Sequence, residues 1–363
     1  MNVTMKHKPD IGETLERYKM WWNREDFGRC AVSICAWSGE GPPKPDLPAK
    51  LEDRWLDFDY LKKHSDHVLG NTAYLAEAVP SANYLYPGND WIPAYLGCEV
   101  ELGETTGWTR PIIADGDLSG HDPAALQIDK AGGRWQWSQK FHALQNAWAA
   151  GKSFPVVPAM GGCGDTLAAI RTTEKLLFDC ADQPGEVRRF EDRLMTLWIE
   201  TYEHYFQLHK DASFGGSANW MGLWAPGRFY VGQNDFSYMI SPEMYEELFL
   251  DALKRQVDYL DYSIYHVDGP AAFAHVDLLC SLENLDALQI LPGDGKPDPL
   301  HYMDVLRKVQ SRGKNLHISL PPERVVCALD NLSSKGLFIN TWCATPGEGE
   351  DLLRLVAKHS RFV

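Results

Sequence analysis

The run Tyr262-Ser263-Ile264-Tyr265-His266-Val267-Asp268 ends on two polar side chains that could bind a metal or move a proton, and Gly269-Pro270 follows it. β-Branched and aromatic residues closed by a Gly-Pro breaker read as a buried strand with an abrupt stop. Side chains alternate along a strand, so His266 and Asp268 face the same way at its C-terminal end. A second strand-like run, Gly336 to Cys343, ends on a cysteine. Imidazole, carboxylate and thiolate are the donor types of a zinc site that keeps one position open for substrate. The pattern therefore predicts that His266, Asp268 and Cys343 meet at one mouth. It suits a plain hydrogen-bonded His–Asp pair as well, and the sequence leaves both open.

Other polar residues fall at the ends of strand-like runs: Asn219, Asp235, Gln289 and His317. Groups of this kind converging from separate strands are what an α/β barrel site is built from. Asp235, His266, Asp268 and His317 are the expected catalytic groups. Asn219, Trp220, Gln289 and Trp342 are the expected substrate contacts. Trp220, Trp224 and Phe229 crowd into ten residues that also hold Pro226 and Gly227. Such rings are either core packing or flat walls for a ring, a sugar or a methylated amine. Gly161-Gly162-x-Gly164 has the wrong spacing for a dinucleotide fingerprint, and no P-loop, HExxH or GxSxG occurs.

The elements that must position these groups are legible mainly in the second half. Helical spacing over 11–27 leads into a strand at 31–35, then a Pro/Gly loop and a helical stretch at 57–78. Residues 82–88 read as a strand and turn. Strands are predicted at 153–160, 213–218, 229–233, 262–267, 286–291, 315–319 and 336–341. Helices are predicted at 185–210, 242–259, 270–283, 299–312 and 347–358. Ser241-Pro242-Glu243 is a good helix start, with a capping serine and proline at the first position. Strand and helix alternating at this interval predict a parallel sheet, and so many units predict a closed (β/α)8 barrel. With no composition shift to divide it, the whole of 1–363 is expected to be one barrel domain with N-terminal helical elaboration.

Composition narrows the partners. The 363 residues are 44% hydrophobic and 23% charged, ordinary for a soluble enzyme. A formal charge of −15 disfavours nucleic acid and anionic membrane as partners, because both demand a basic surface. No apolar run reaches membrane-spanning length, and the first ten residues lack the apolar core of a signal peptide. Eight scattered cysteines without a CxxC pair fit reduced thiols, hence a cytoplasmic expectation.

Several segments also match a family in order. They are Gly161-Gly162-Cys163-Gly164-Asp165-Thr166-Leu167, Asp235 ahead of Ile240-Ser241-Pro242-Glu243, Tyr265-His266-Val267-Asp268-Gly269, Gln289-Ile290-Leu291-Pro292-Gly293 and Lys335-Gly336-Leu337. From Pro155 onward the chain resembles the uroporphyrinogen decarboxylase superfamily, and within it the corrinoid-dependent methyltransferase branch. The resemblance implies a (β/α)8 barrel with its site at the C-terminal mouth. It also implies zinc held by His266, Asp268 and Cys343, and a corrinoid supplied by a partner protein. Asp268 stands where cysteine is usual, which gives a harder and weaker ligand. The arginine-rich N-terminal motif of the decarboxylases has no counterpart around residues 28–40, so a polyanionic tetrapyrrole is not the expected substrate. The expected activity is methyl transfer between a small methylated or thiol substrate and cobalamin. The alternatives are a metal-free decarboxylase or lyase acting on a small ring compound, and a non-catalytic binding relative.

Overall fold

The computed structural model describes residues 4–81 and 91–363. Its strands are β1 (Ala31–Trp37), β2 (Thr72–Ala76), β3 (Val100–Leu102), β4 (Gly107–Thr109), β5 (Ser217–Ala218), β6 (Trp224–Ala225), β7 (Phe229–Gln233), β8 (Tyr262–Asp268), β9 (Ala287–Leu291), β10 (Asn315–Ser319) and β11 (Leu337–Cys343). Seven form one sheet in the order β2-β1-β11-β10-β9-β8-β7. Its pairs are parallel except β1 with β2, which is antiparallel. Parallel neighbours need a crossover. Helices supply it between β7 and β11, beginning with Pro242–Leu248 and Leu250–Tyr259, and the helix start at Ser241 is as read: its side chain accepts the Met244 amide. β3–β4 and β5–β6 form two small antiparallel pairs.

Elements at 153–160 and 57–78 differ from the sequence expectation. Residues 153–160 make only isolated bridges, Phe154 with Ser81 and Val156 with Ala218 of β5. Pro155 and Pro158 lack the amide hydrogens that a continuous ladder needs. The helical stretch at 57–78 stops at Asn71, and Thr72–Ala76 pairs with β1 instead. The strand and turn read at 82–88 lie outside the described residues.

The sheet separates two apolar clusters by strand alternation. Val32, Ile34, Tyr230, Tyr265, Val267, Leu288, Ile290, Leu316, Ile318, Leu337, Ile339 and Cys343 pack in the cluster that includes the covering helices. Ala31, Phe229, Val231, Ile264, Ala287 and Phe338 face the other way, into a cluster shared with helix Ile11–Trp22. That helix closes the N-terminal end of the sheet. Its Trp21 and Trp22 indoles donate to the carbonyls of Gly336 and Trp224, both at 3.1 Å, and their rings pack on Phe338, Phe229 and Tyr262. All eight cysteines are free thiols. Among the described residues no helix is long and apolar enough to cross a membrane.

Glu77, fully buried, ties the floor helix to the sheet. Its carboxylate takes two hydrogen bonds from Arg29 (2.6 and 2.7 Å), one from Arg17 (2.6 Å) and the amide of Val32 (2.9 Å). Burial pushes its pKa up, but the bonds and charge of Arg29, the Val32 amide and Arg17 outweigh that and hold it below the ordinary carboxylate range. Its contribution to stability is therefore full above the unfolded glutamate pKa and is lost as pH falls through the lower folded value. Glu77→Gln leaves the two guanidiniums without their buried counter-charge and should cost on the order of 3–5 kcal/mol in urea unfolding at neutral pH. The loss relative to wild type should shrink on acidification; an unchanged urea midpoint would contradict this account.

Candidate functional site

At the C-terminal ends of β7 and β8, Asp235, His266 and Asp268 each offer a ligand atom, and these atoms lie within 4.8 Å of one another. Alternation puts His266 and Asp268 on one face of β8. Gln233 stands opposite His266 in the β7–β8 register, so the chain leaving β7 turns beside them and delivers Asp235. The turn is the 3-10 helix Asp235–Met239, capped by the Asn234 side chain on the Ser237 amide (3.1 Å).

Asp165 fixes that turn from below. Its carboxylate accepts the amides of Asp235 (3.0 Å) and Phe236 (2.8 Å), with the Gln233 side-chain amide at 3.4 Å. Asp165 opens helix Asp165–Arg171 directly after Gly161-Gly162-Cys163-Gly164, and the structure gives those glycines their reason. A Cβ on Gly162 would lie 1.9 Å from the Gln233 carbonyl oxygen. Gly164 has φ +79°, and a Cβ there would lie 2.4 Å from Asn234 Oδ1. The loop is further held by Trp198, whose indole donates to the Gly161 carbonyl, and by Glu191, which accepts the Gly164 amide. A cleft of about 590 Å³ opens beside this turn, lined by Asp165, Gln233 and Asp235 and walled by Trp108, Thr172 and Met239.

His266 Nδ1 lies 2.6 Å from Gln289 Oε1. An amide oxygen only accepts, so Nδ1 carries the proton and Nε2 keeps its lone pair for a metal or a substrate proton. Partial loss of solvent raises the pKa of Asp235, and Asp268 adds to this while His266 opposes it. Burial, then the charge of Asp235, pushes Asp165 up to about 7, against the backbone amides that lower it. Burial takes Glu191 up to about 8, so it is largely protonated at neutral pH.

The other residues singled out in the sequence are distributed around this group. Gln289 and His317 occupy the same register level as His266 on β9 and β10. His317 is fully buried, stacks on Phe338 at 5.5 Å, and is held neutral by burial and by His266, its pKa lowered to about 3. The Trp220 ring meets the His266 ring edge-on at 5.7 Å. Asn219 is buried, its Oδ1 accepting the Met221 amide. Trp342, half exposed, shares the strand parity of Phe338 at the end of β11.

Cys343 does not join the group that Asp235, His266 and Asp268 form. Strand parity places it with Leu337 and Ile339 on the helix-facing side, in the packed cluster opposite the interior. Burial and the nearby Glu348 raise its thiol pKa, which disfavours the thiolate a metal needs. Asp235, expected as a catalytic group, is the residue that stands with His266 and Asp268. Asp165 and Gln233 were missed as site residues. The pointer to Asp165 was its position straight after a glycine-rich loop, at the first turn of a helix.

No protein-family model and no curated protein sequence matches the chain. Among solved structures, a methyltransferase from Methanosarcina mazei superposes with a TM-score of 0.59 at 12% sequence identity, over 95% of this chain and 98% of that one. At this identity the likeness is one of fold.

The glycine contacts give a direct test of how the site is held. Gly162→Ala should lower stability by at least about 1–3 kcal/mol through overpacking against the β7 end. Gly185→Ala, at a helical position with open space around it, should be neutral or stabilising by up to about 1 kcal/mol. Thermal unfolding of the two variants should separate them clearly, and equal midpoints would refute the role given to the loop.

Proposed function

We propose that the chain is a methyltransferase that moves a methyl group between the heteroatom of a small substrate and the cobalt of a corrinoid carried by a partner protein. We read residues 1–363 as one unit. In this reading the single bridges at 81–154 and 156–218 close the sheet into a barrel of the (β/α)8 type, with the site at its C-terminal mouth. The observation that carries the proposal is the close grouping of Asp235, His266 and Asp268, with Gln289 fixing the imidazole tautomer. The fold shared with a methyltransferase supports the reaction class.

The residues present fit a divalent cation. One imidazole nitrogen and two carboxylate oxygens are a hard, oxygen-rich donor set, compatible with zinc and different from the thiolate set that the sequence resemblance implies. Asp235, His266 and Asp268 would hold the ion, which when bound supplies Lewis acidity toward a substrate oxygen, nitrogen or sulfur. The protein's own contribution is placement. Gln289 keeps the His266 Nε2 lone pair free, Asp165 anchors the turn that carries Asp235, and Trp220 excludes water from one side of the imidazole.

One observation favours the metal-free lyase reading. Asp235 has an elevated proton affinity beside Asp165, also elevated, and a carboxyl poised nearer neutral pH suits general acid–base work. Metal content decides between the two. Protein purified without added zinc should carry about one equivalent or take it up on titration, and Asp268→Ala should lose it. Gln289→Leu should weaken binding by about 10–100-fold, the usual cost of losing an outer partner. Cys343→Ser should bind zinc with unchanged affinity. Methylation of cob(I)alamin by a methylated substrate, followed by its absorbance, should require the metal-loaded protein. Turnover of a ring substrate by metal-free wild type would favour the lyase instead, and a Cys343→Ser variant devoid of metal would restore the cysteine as ligand.

A further inference from the structure

His317 is fully buried, and among the described residues neither of its ring nitrogens has a hydrogen-bond partner. A buried polar group left unsatisfied is costly, and this ring leaves two. Phe338 stacks on one face of the imidazole and fixes its plane. The register places His317 in one row with Gln289 and His266 across β10, β9 and β8, and all three side chains have the interior parity. Neighbouring strands are about 4.8 Å apart, so His317 stands about 10 Å from His266 measured along the backbone row. A second orphan, Asn219 Nδ2, is fully buried one residue before the Trp220 ring that packs on His266. Gln289 serves the ligand group by holding His266. Among the described residues no corresponding structural task occupies the nitrogens of His317.

We propose that His317 is a substrate-binding residue that receives an uncharged hydroxyl group, alcoholic or phenolic, of a small ligand whose other end reaches Asp235, His266 and Asp268. The inference rests on the function proposed above and names the substrate class for that same site. The hydrogen-bond inventory selects the group. A neutral imidazole presents one N–H donor and one acceptor nitrogen, and a hydroxyl is the smallest group that both gives and takes a hydrogen bond. Charge is disfavoured on either side. A carboxylate meets one donor and an acceptor that repels it, and an ammonium would be buried beside Phe338 with no counter-ion. The short span from His317 to the ligand group restricts the molecule to roughly one ring or a few carbons.

The test uses the full chain with and without zinc, phenol as the neutral probe, and methylammonium and acetate as charged probes of small size. Calorimetric titration should show phenol binding to wild type, and His317→Phe should weaken it at least about tenfold while zinc affinity is unchanged. His317→Asn, which keeps a donor and an acceptor, should recover part of the loss. His317→Phe also removes two orphaned nitrogens, so the unliganded variant should melt at or above the wild-type temperature while losing the stabilisation that phenol gives. Equal phenol affinity in wild type and His317→Phe overturns the proposal, as does tighter binding of methylammonium or acetate than of phenol. These outcomes are separable from failure of the functional reading. Phenol bound through His317 without any methyl transfer would sink the methyltransferase but keep the subsite. Methyl transfer with no dependence of KM on His317 would do the reverse.

Discussion

Everything at the mouth depends on one buried charge at the other end of the molecule. Glu77 sits where β2 leaves the sheet, and its carboxylate is shared by two guanidiniums and a backbone amide. A lone carboxylate could not be buried there, and neither could the arginines without it. The arrangement therefore forces three separate pieces of chain into register: the floor helix through Arg17, the entry to β1 through Arg29 and Val32, and the exit of β2. With the helix so placed, its tryptophans fill the lower interior. The polar side chains that follow along each strand are then held above an apolar plug.

Above the plug, the alternation of strands does the sorting. Each strand sends every second side chain toward the helices and the others inward, so a shift of one residue exchanges a core thiol for a site ligand. That parity explains why His266 and Asp268 belong to the site while Cys343 does not. The third polar side chain of the group comes from a turn. Asp235 is free of strand parity, and it needed a second carboxylate, Asp165, to hold it in place. Asp165 in turn required glycines at 162 and 164, since any side chain there would strike the end of β7.

The sequence was most informative where a periodic pattern and a stop coincided. The strands β7 to β11 and the helices between them follow directly from apolar runs closed by Gly, Pro or a capping serine. The shared orientation of His266 and Asp268 was legible from spacing alone, and so was the start of the helix at Pro242. Other features depended on long-range contacts. Nothing local distinguishes Thr72–Ala76 from the end of a helix; its pairing with β1 does. The proline-interrupted stretch at 153–160 has strand-like composition but only scattered partners. Cys343 was grouped with the pair because strand ends were taken as converging; parity counted from Leu337 and Ile339 places it on the helix-facing side. Asp165 was visible in a motif, but its role appears only once the turn it caps is folded beside it.

The indole hydrogen bonds of the floor helix carry a kinetic implication. Trp21 and Trp22 bind the carbonyls of Gly336 and Trp224 and pack on Phe338, Phe229 and Tyr262, so in the barrel proposed above that end is plugged and a ligand would enter and leave by the C-terminal mouth. Under the proposed function, a large partner docking over the C-terminal mouth would close that route. Binding would then be compulsorily ordered, with the small molecule first and the macromolecule second, and release would run in the opposite order. An excess of the partner would then slow turnover by trapping empty protein, an inhibition that more of the small molecule relieves.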